Sequence, residues 1–182
     1  MKVLNFGSLN IDHVYRVEHF MQPGATQSSL GYARFPGGKG LNQSIALACA
    51  GARVYHAGCI GADGEFLRGL LAEKGVDTRF VRTAAQPTGH AVIQVDRRGQ
   101  NCILLFGGAN QCVDEAQIDA VLDGFAANDI LLLQNEINAL GSIMDKAYDR
   151  GMRIVLNPSP MEDALLALPL HKVWALDRKS VV

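Results

Sequence analysis

The sequence lacks an excess of charge of either sign and lacks any long apolar run. Seventeen Lys and Arg residues balance eighteen Asp and Glu, for a formal net charge of -1 over 182 residues. Electrostatics therefore favours neither nucleic acid nor an anionic membrane as a partner. No apolar run approaches the roughly 20 residues that span a bilayer, and polar residues at positions 5, 10 and 12 interrupt the first segment before a secretory signal could form. We expect a cytoplasmic protein with no membrane partner and no nucleic-acid partner.

Cysteine occurs only four times, too rarely and too widely spaced for a disulfide framework. Cys49, Cys59 and Cys102 lie in apolar stretches, and we expect them to be core thiols. The five histidines show neither the spacing of a metal site nor an order that indicates a Ser-His-Asp triad. The sequence gives no support for metal catalysis.

Apolar strands alternate with amphipathic helices over most of the chain. Hydrophobic residues make up 48% and charged residues 19%, a composition that suits one globular domain. Short apolar runs end near residues 6, 60, 133 and 156, and helical spacing appears at 65–74, 114–126 and 139–150. In the first of these helices the spacing turns Phe66 inward. The pattern predicts an α/β fold, a parallel sheet flanked by helices.

The end of the chain departs from this alternation of strands and helices. Its last extended segment, 172–176, is followed by six residues without a helix to cover it. Because an α/β sheet needs both faces covered, we expect a fold that is incomplete at its C-terminus. An edge strand at a complete C-terminus is the alternative.

A glycine-rich segment, 37–44, precedes an Ala-rich helix. It is not a Walker loop, because Ala33 occupies the first glycine position and Gly40 follows the lysine. It is not a dinucleotide fingerprint either, because Gln43 stands where the third glycine belongs. A dinucleotide-binding oxidoreductase is thereby disfavoured.

The same segment suits an oxygen-rich ligand. Consecutive glycines let backbone N–H groups approach a ligand at a helix N-terminus, where unsatisfied donors collect. Gly38 provides such an amide, Lys39 adds three charged donors, and Asn42 adds an amide that both donates and accepts. The alternative is a tight turn with a solvated lysine.

Two further positions offer groups that bind hydroxyls. Asn10 and Asp12 are separated by one residue, which places them on one face of an extended segment. Glu136 follows an apolar strand, at the edge where α/β sheets bind ligands. Turn chemistry for the pair and a solvated strand end for Glu136 are the alternatives.

Five segments occur in order along the chain and together carry a family resemblance. They are Gly7-Ser8-Leu9-Asn10-Ile11-Asp12, Gly37-Gly38-Lys39-Gly40-Leu41-Asn42-Gln43, Ile60-Gly61-Ala62-Asp63, Gly108-Ala109-Asn110 and Leu133-Gln134-Asn135-Glu136. The sequence closely resembles the ribokinase or PfkB family of carbohydrate kinases over nearly its whole length.

The resemblance implies a ribokinase-like three-layer α/β sheet with flanking helices and a small β lid. Residues 1–182 would form the N-terminal portion of one such domain, with lid strands from 12–17, 29–35 and 90–106, and the lid often forms a homodimer contact. The residues implied to bind sugar hydroxyls are Asn10, Asp12, Gly38, Lys39, Asn42 and Glu136. ATP and Mg²⁺ are the implied cofactors of the full-length enzyme.

The chain also departs from the family pattern. Asp177-Arg178-Lys179-Ser180 stands where the family's Asn-x-x-Glu element is expected, and the Gly-Ala-Gly-Asp element with the general base does not occur. The expectation is an ATP-dependent kinase that phosphorylates a primary hydroxyl of ribose or a similar pentose, truncated and inactive alone. The alternative is a non-catalytic sugar- or nucleoside-binding module.

Overall fold

A computed structural model of the chain describes residues 1–177. The predicted departure at Arg178, Lys179 and Ser180 lies outside these residues. The described residues form ten strands: β1 Val3–Phe6, β2 Asn10–Arg16, β3 Gly31–Gly37, β4 Val54–Ile60, β5 Asp77–Thr83, β6 Gly89–Val95, β7 Asn101–Phe106, β8 Ile130–Gln134, β9 Arg153–Asn157 and β10 Val173–Leu176. The α-helices are α1 Lys39–Cys49, α2 Glu65–Glu73, α3 Glu115–Leu122 and α4 Leu140–Asp149.

The main sheet confirms the predicted α/β fold. Its six strands are all parallel, in the order β10-β9-β8-β1-β4-β5. One buried cluster joins the sheet to α3 and α4 through residues such as Leu4, Ile118 and Ile143. A second cluster joins it to α1 and α2 through Leu41 and Leu67. The sheet therefore has helices packed on both of its faces.

A second, smaller sheet carries the lid. Its order is β3-β2-β6-β7, in which β2 pairs in parallel with β6 and the two outer pairs are antiparallel. The smaller sheet packs against the main sheet, because Ile11 of β2 is buried in the hydrophobic cluster formed with α1 and α2. The lid therefore rises directly from the segment that leaves β1.

One part of the main sheet has no helix over it within residues 1–177. Leu132 and Val155 line an apolar groove of about 430 Å³ beside α1. Further along this region, Trp174 and Leu176 of β10 are 62% and 66% exposed. Within residues 1–177, none of the helices combines the length and the hydrophobicity that a membrane span requires.

Several sequence expectations are wrong in detail. Cys49 and Cys102 are exposed, and of the three expected core thiols only Cys59 is buried. Phe66 lies 37% exposed, beneath the guanidinium of Arg34, whose Cζ is 4.8 Å from the ring centroid. The third helix ends at Leu122 instead of continuing to residue 126.

Candidate functional site

The site lies where the carboxyl ends of β1 and β8 meet the start of α1 and the base of the lid. Parallel strands present their carboxyl ends at one edge, which is where open α/β sheets bind ligands. Here Glu136 follows β8 by two residues, Ser8 follows β1, and Lys39 is the first residue of α1. Three separate segments therefore deliver polar side chains to one place.

Glu136 is the centre of this arrangement. Its Oε1 accepts from the Lys39 ammonium in an ion pair. Its Oε2 accepts from Ser8 Oγ at 2.5 Å and from the Lys39 backbone N–H at 3.0 Å. The carboxylate lies at the N-terminus of α1, where the helix dipole favours negative charge, and its side chain is 9% exposed. Lys39 and Glu136 are thus held together before any ligand arrives.

The amides that open α1 have protein partners. Gly40 N–H donates to Ser8 Oγ at 3.2 Å, and Leu41 N–H donates to the Ser8 carbonyl at 3.0 Å. The prediction that these glycine amides face a ligand is therefore wrong for Gly40. Glycine is required at position 40 because the packing there is close: a Cβ would lie 2.6 Å from the carbonyl carbon of Gly7. The glycine allows the helix to approach the β1–β2 turn.

Gly38 has a conformational role. Its φ of 97° lies in the left-handed region that favours glycine. A Cβ there would also lie 3.0 Å from the Ser8 carbonyl oxygen. Gly38 therefore allows the chain to turn from β3 into α1 beside the site.

Asn10 and Asp12 lie on one face of β2, two residues apart. Asn10 is buried, and its Oδ1 accepts from Asn110 Nδ2 at 2.7 Å, which leaves its own NH2 group as the donor it can offer. Asp12 is half-buried. Its pKa is raised, chiefly by burial and then by the negative charge of Glu136, against the opposing effects of His13 and Lys39. Its carboxylate lies against Gly37, at a point that a Cβ there would occupy.

A polar cavity of about 230 Å³ lies beside Asn10 and Glu136. Asn10 and Glu136 line it together with Asn110, Asn135 and Glu162, and Leu105 and Phe106 of the lid form its apolar side. An amide donor, carboxylate acceptors and apolar walls suit a small polyhydroxylated molecule. Asn42, in contrast, is exposed in the first turns of α1, and none of the described hydrogen bonds joins its side chain to the other predicted residues.

Ser8 and Asn110 contribute to the site although sequence reasoning gave them no role. Both lie inside segments that carry the family resemblance, and that position was the available signal. Ser8 is fully buried and links Glu136 to Gly40. Asn110 accepts from the Leu9 N–H at 3.0 Å while it orients Asn10.

The comparisons with known proteins agree with this geometry. The model of the pfkB family carbohydrate kinases matches residues 1–171. The chain belongs to the pfkB family of carbohydrate kinases. Over 170 residues it is 38% identical to the ribokinase of Haemophilus influenzae, a match that covers 89% of this chain and 56% of that pfkB protein.

Solved structures of pfkB proteins share the fold. A ribokinase from Cryptococcus neoformans in complex with ADP superposes with a TM-score of 0.83 at 35% identity, over 96% of this chain and 57% of that one. An Arabidopsis thaliana ribokinase complexed with ribose and ATP gives 0.72 at 28% identity, over 88% and 54%. The chain therefore spans less than two thirds of the length of the pfkB proteins it matches.

Proposed function

We propose that this chain forms the sugar-binding part of an ATP-dependent kinase that phosphorylates a primary hydroxyl of ribose or a similar pentose. The observation that carries the proposal is that Asn10 and Glu136 line one polar cavity. Lys39 is paired with Glu136, and Asp12 is close enough to both for their charges to shift its pKa. The Arabidopsis structure that resembles this chain was solved with ribose and ATP. That comparison supports the same class of ligand here.

The groups have distinct proposed roles in binding. Asp12 accepts two sugar hydroxyl hydrogens, Asn10 donates through its NH2 group, and the Lys39–Glu136 pair donates and accepts at a third hydroxyl. Gly38 lets the backbone come close to the ligand. Holding a hydroxyl in a fixed geometry supplies much of the rate in such a reaction, up to roughly 7–11 kcal/mol in favourable cases. Asn42 is proposed to close on the sugar from its exposed position.

Calorimetry with D-ribose tests this assignment. We expect the wild-type chain to bind ribose and Asp12→Asn to bind roughly 10–100 times more weakly, because one charge-assisted hydrogen bond contributes about 1.5–3 kcal/mol. The raised pKa of Asp12 means that its ionised form destabilises the fold, so the variant keeps or gains thermal stability. Asp149→Asn, at an exposed site on α4, is the matched control. Equal affinity of all three proteins would refute the sugar site.

We further propose that these 182 residues do not transfer phosphate by themselves. Phosphoryl transfer needs a positioned base and charge stabilisation at the γ-phosphate, and the family's Gly-Ala-Gly-Asp element does not occur in the sequence. Among residues 1–177, no cluster of three His, Cys, Asp or Glu side chains fits a metal ion. ATP and Mg²⁺ are accordingly proposed only for the full-length enzyme.

An ATP-coupled assay with D-ribose and Mg²⁺ checks this second proposal. We expect no turnover above background from the chain and normal turnover from the Haemophilus influenzae ribokinase in parallel. Kinase-like turnover that Asp12→Ala abolishes would instead place the base within this chain. Ribose binding without turnover, unaffected by ATP, is also the behaviour expected of a non-catalytic binding module.

The lid is proposed as a homodimer contact. Its edge strand β7 exposes Ile103, Leu104 and Leu105 by 49%, 71% and 51%, and such an edge pairs readily with another sheet. Sedimentation equilibrium is expected to give a dimer that Leu104→Lys dissociates. Leu166→Lys, at a position that is 69% exposed outside the lid, is the control and should leave the dimer intact. A monomeric wild type would contradict the proposal.

A further inference from the structure

Four polar side chains are completely buried beneath the site. They are Asn5 of β1, Ser44 of α1, His56 of β4 and Gln134 of β8, each 0% exposed. Leaving such a group without a partner costs about 1–3 kcal/mol. Their hydrogen bonds therefore decide whether this cluster can exist in the core.

The chemistry of the partners fixes the orientation of His56. Its Nε2 lies 3.2 Å from the Gly7 carbonyl oxygen, which can only accept, so Nε2 carries the proton. Nδ1 is then an acceptor and receives the hydroxyl hydrogen of Ser44 across 2.8 Å. Burial lowers the pKa of His56 to about 4, which keeps the ring neutral at pH 7.

The remaining hydrogen bonds continue in the same direction. Ser44 Oγ accepts from Asn5 Nδ2 at 2.8 Å, and the same Asn5 nitrogen also donates to the Gly40 carbonyl at 2.7 Å. Asn5 Oδ1 accepts from Gln134 Nε2 at 2.8 Å. A single chain of donors thus runs from Gln134 through Asn5, Ser44 and His56 to the Gly7 carbonyl.

This polar chain touches the three segments that carry Ser8, Lys39 and Glu136. Gln134 lies two residues before Glu136, Gly7 comes directly before Ser8, and Gly40 directly follows Lys39. We propose that Ser44 and His56 are positioning residues, which lock the Gly7–Ser8 turn, α1 and β8 together so that Ser8 and Lys39 hold Glu136 in the sugar site. The inference rests on the proposed function, because it assigns a purpose to that geometry.

The cluster is not optimised for stability alone. Because the Gly7 carbonyl sets the direction, Gln134 must point Nε2 at Asn5, which leaves its Oε1 beside Gly7. That oxygen is buried and has no hydrogen-bond partner in the described part of the chain. An apolar residue would avoid the cost of an unpaired acceptor. The presence of Gln134 instead is the expected result when the cluster serves to orient the segments more than to stabilise the fold.

Ser44→Ala breaks this polar chain at its middle, and amide hydrogen exchange measures the result without any ligand. We expect the Lys39 and Gly40 amides, which bond to Glu136 and Ser8, to exchange about tenfold faster relative to the Leu132 amide. His56→Gln, at the end of the polar chain next to Gly7, should accelerate the exchange of the same two amides. Ile118→Val removes a methylene from the opposite core cluster and should leave this ratio unchanged while it lowers the melting temperature.

Ribose calorimetry on the same proteins supplies the functional measurement. Ser44→Ala and His56→Gln are expected to raise the dissociation constant about tenfold, and Ile118→Val to leave it unchanged. Unchanged amide exchange ratios in both cluster variants, or a ¹⁵N spectrum that places the His56 proton on Nδ1, would overturn the positioning role. A wild type that does not bind ribose would refute the proposed function instead, and the exchange ratios would still test the positioning.

Discussion

Gly40→Ala is expected to destabilise the protein by about 3 kcal/mol, because the added methyl group meets backbone that cannot move aside. A Cβ at this position would lie 2.6 Å from both the Gly7 carbonyl carbon and the Ser8 carbonyl oxygen. Relief of that contact requires α1 to withdraw from the β1–β2 turn. The Gly40–Ser8 hydrogen bond would be lost with it.

Gly69→Ala is the matched control, since Gly69 is exposed inside α2 and a Cβ there has no neighbour within 4 Å. This substitution should stabilise the protein by about 0.5–1 kcal/mol through helix propensity. Urea unfolding of the two variants and the wild type checks both signs. A Gly40→Ala protein as stable as the Gly69→Ala protein would show that the close approach of helix and turn has no energetic weight.

The second large effect is an acid-induced loss of stability that depends on His56. Its pKa falls from 6.5 to about 4 on folding because the ring is fully buried. Between these two values the unfolded chain binds more protons than the folded one, so stability rises with pH and falls on acidification. This difference between the two pKa values corresponds to about 3 kcal/mol in the free energy of unfolding. The loss is complete only when the pH has dropped below about 4.

Comparison with His56→Gln isolates this contribution. The raised pKa of Asp12 acts with the opposite sign, because its folded form binds more protons. Asp12 is present in both proteins, so its contribution cancels in the difference. Urea unfolding from pH 7 to pH 4 should show that the wild type loses about 3 kcal/mol more than the variant. Parallel pH profiles would contradict a neutral, buried His56.

The fold was predictable where periodicity is strong. The buried strands β1, β4, β8 and β9 were all indicated by short apolar runs, and α2 and α4 by helical spacing. The strand β5 was not predicted, because its sequence Asp-Thr-Arg-Phe-Val-Arg-Thr places charged residues in an edge strand. Edge strands lack one neighbour, so their composition carries less of the apolar signal.

The residue types of the candidate site could be read from the sequence, but the contacts between them could not. The spacing of Asn10 and Asp12 indicates a shared face, and β2 has that geometry. No local pattern indicates that Ser8 bonds to Glu136, since 128 residues separate them in the chain. The burial of Asn5, Ser44 and His56 escaped prediction for the same reason. Polar residues scattered through a sequence show a common purpose only after folding brings them together.

The uncovered region of the main sheet carries an intrinsic fluorophore. Trp174 is the protein's one tryptophan, stands 62% exposed, and has the guanidinium carbon of Arg153 5.5 Å from its ring centroid. Indole emission moves to shorter wavelength when water is removed from the ring. Binding of a polypeptide or amphiphile to β10 will therefore shift the emission maximum of Trp174 to shorter wavelength. A ligand confined to the cavity beside Glu136 will leave the spectrum unchanged.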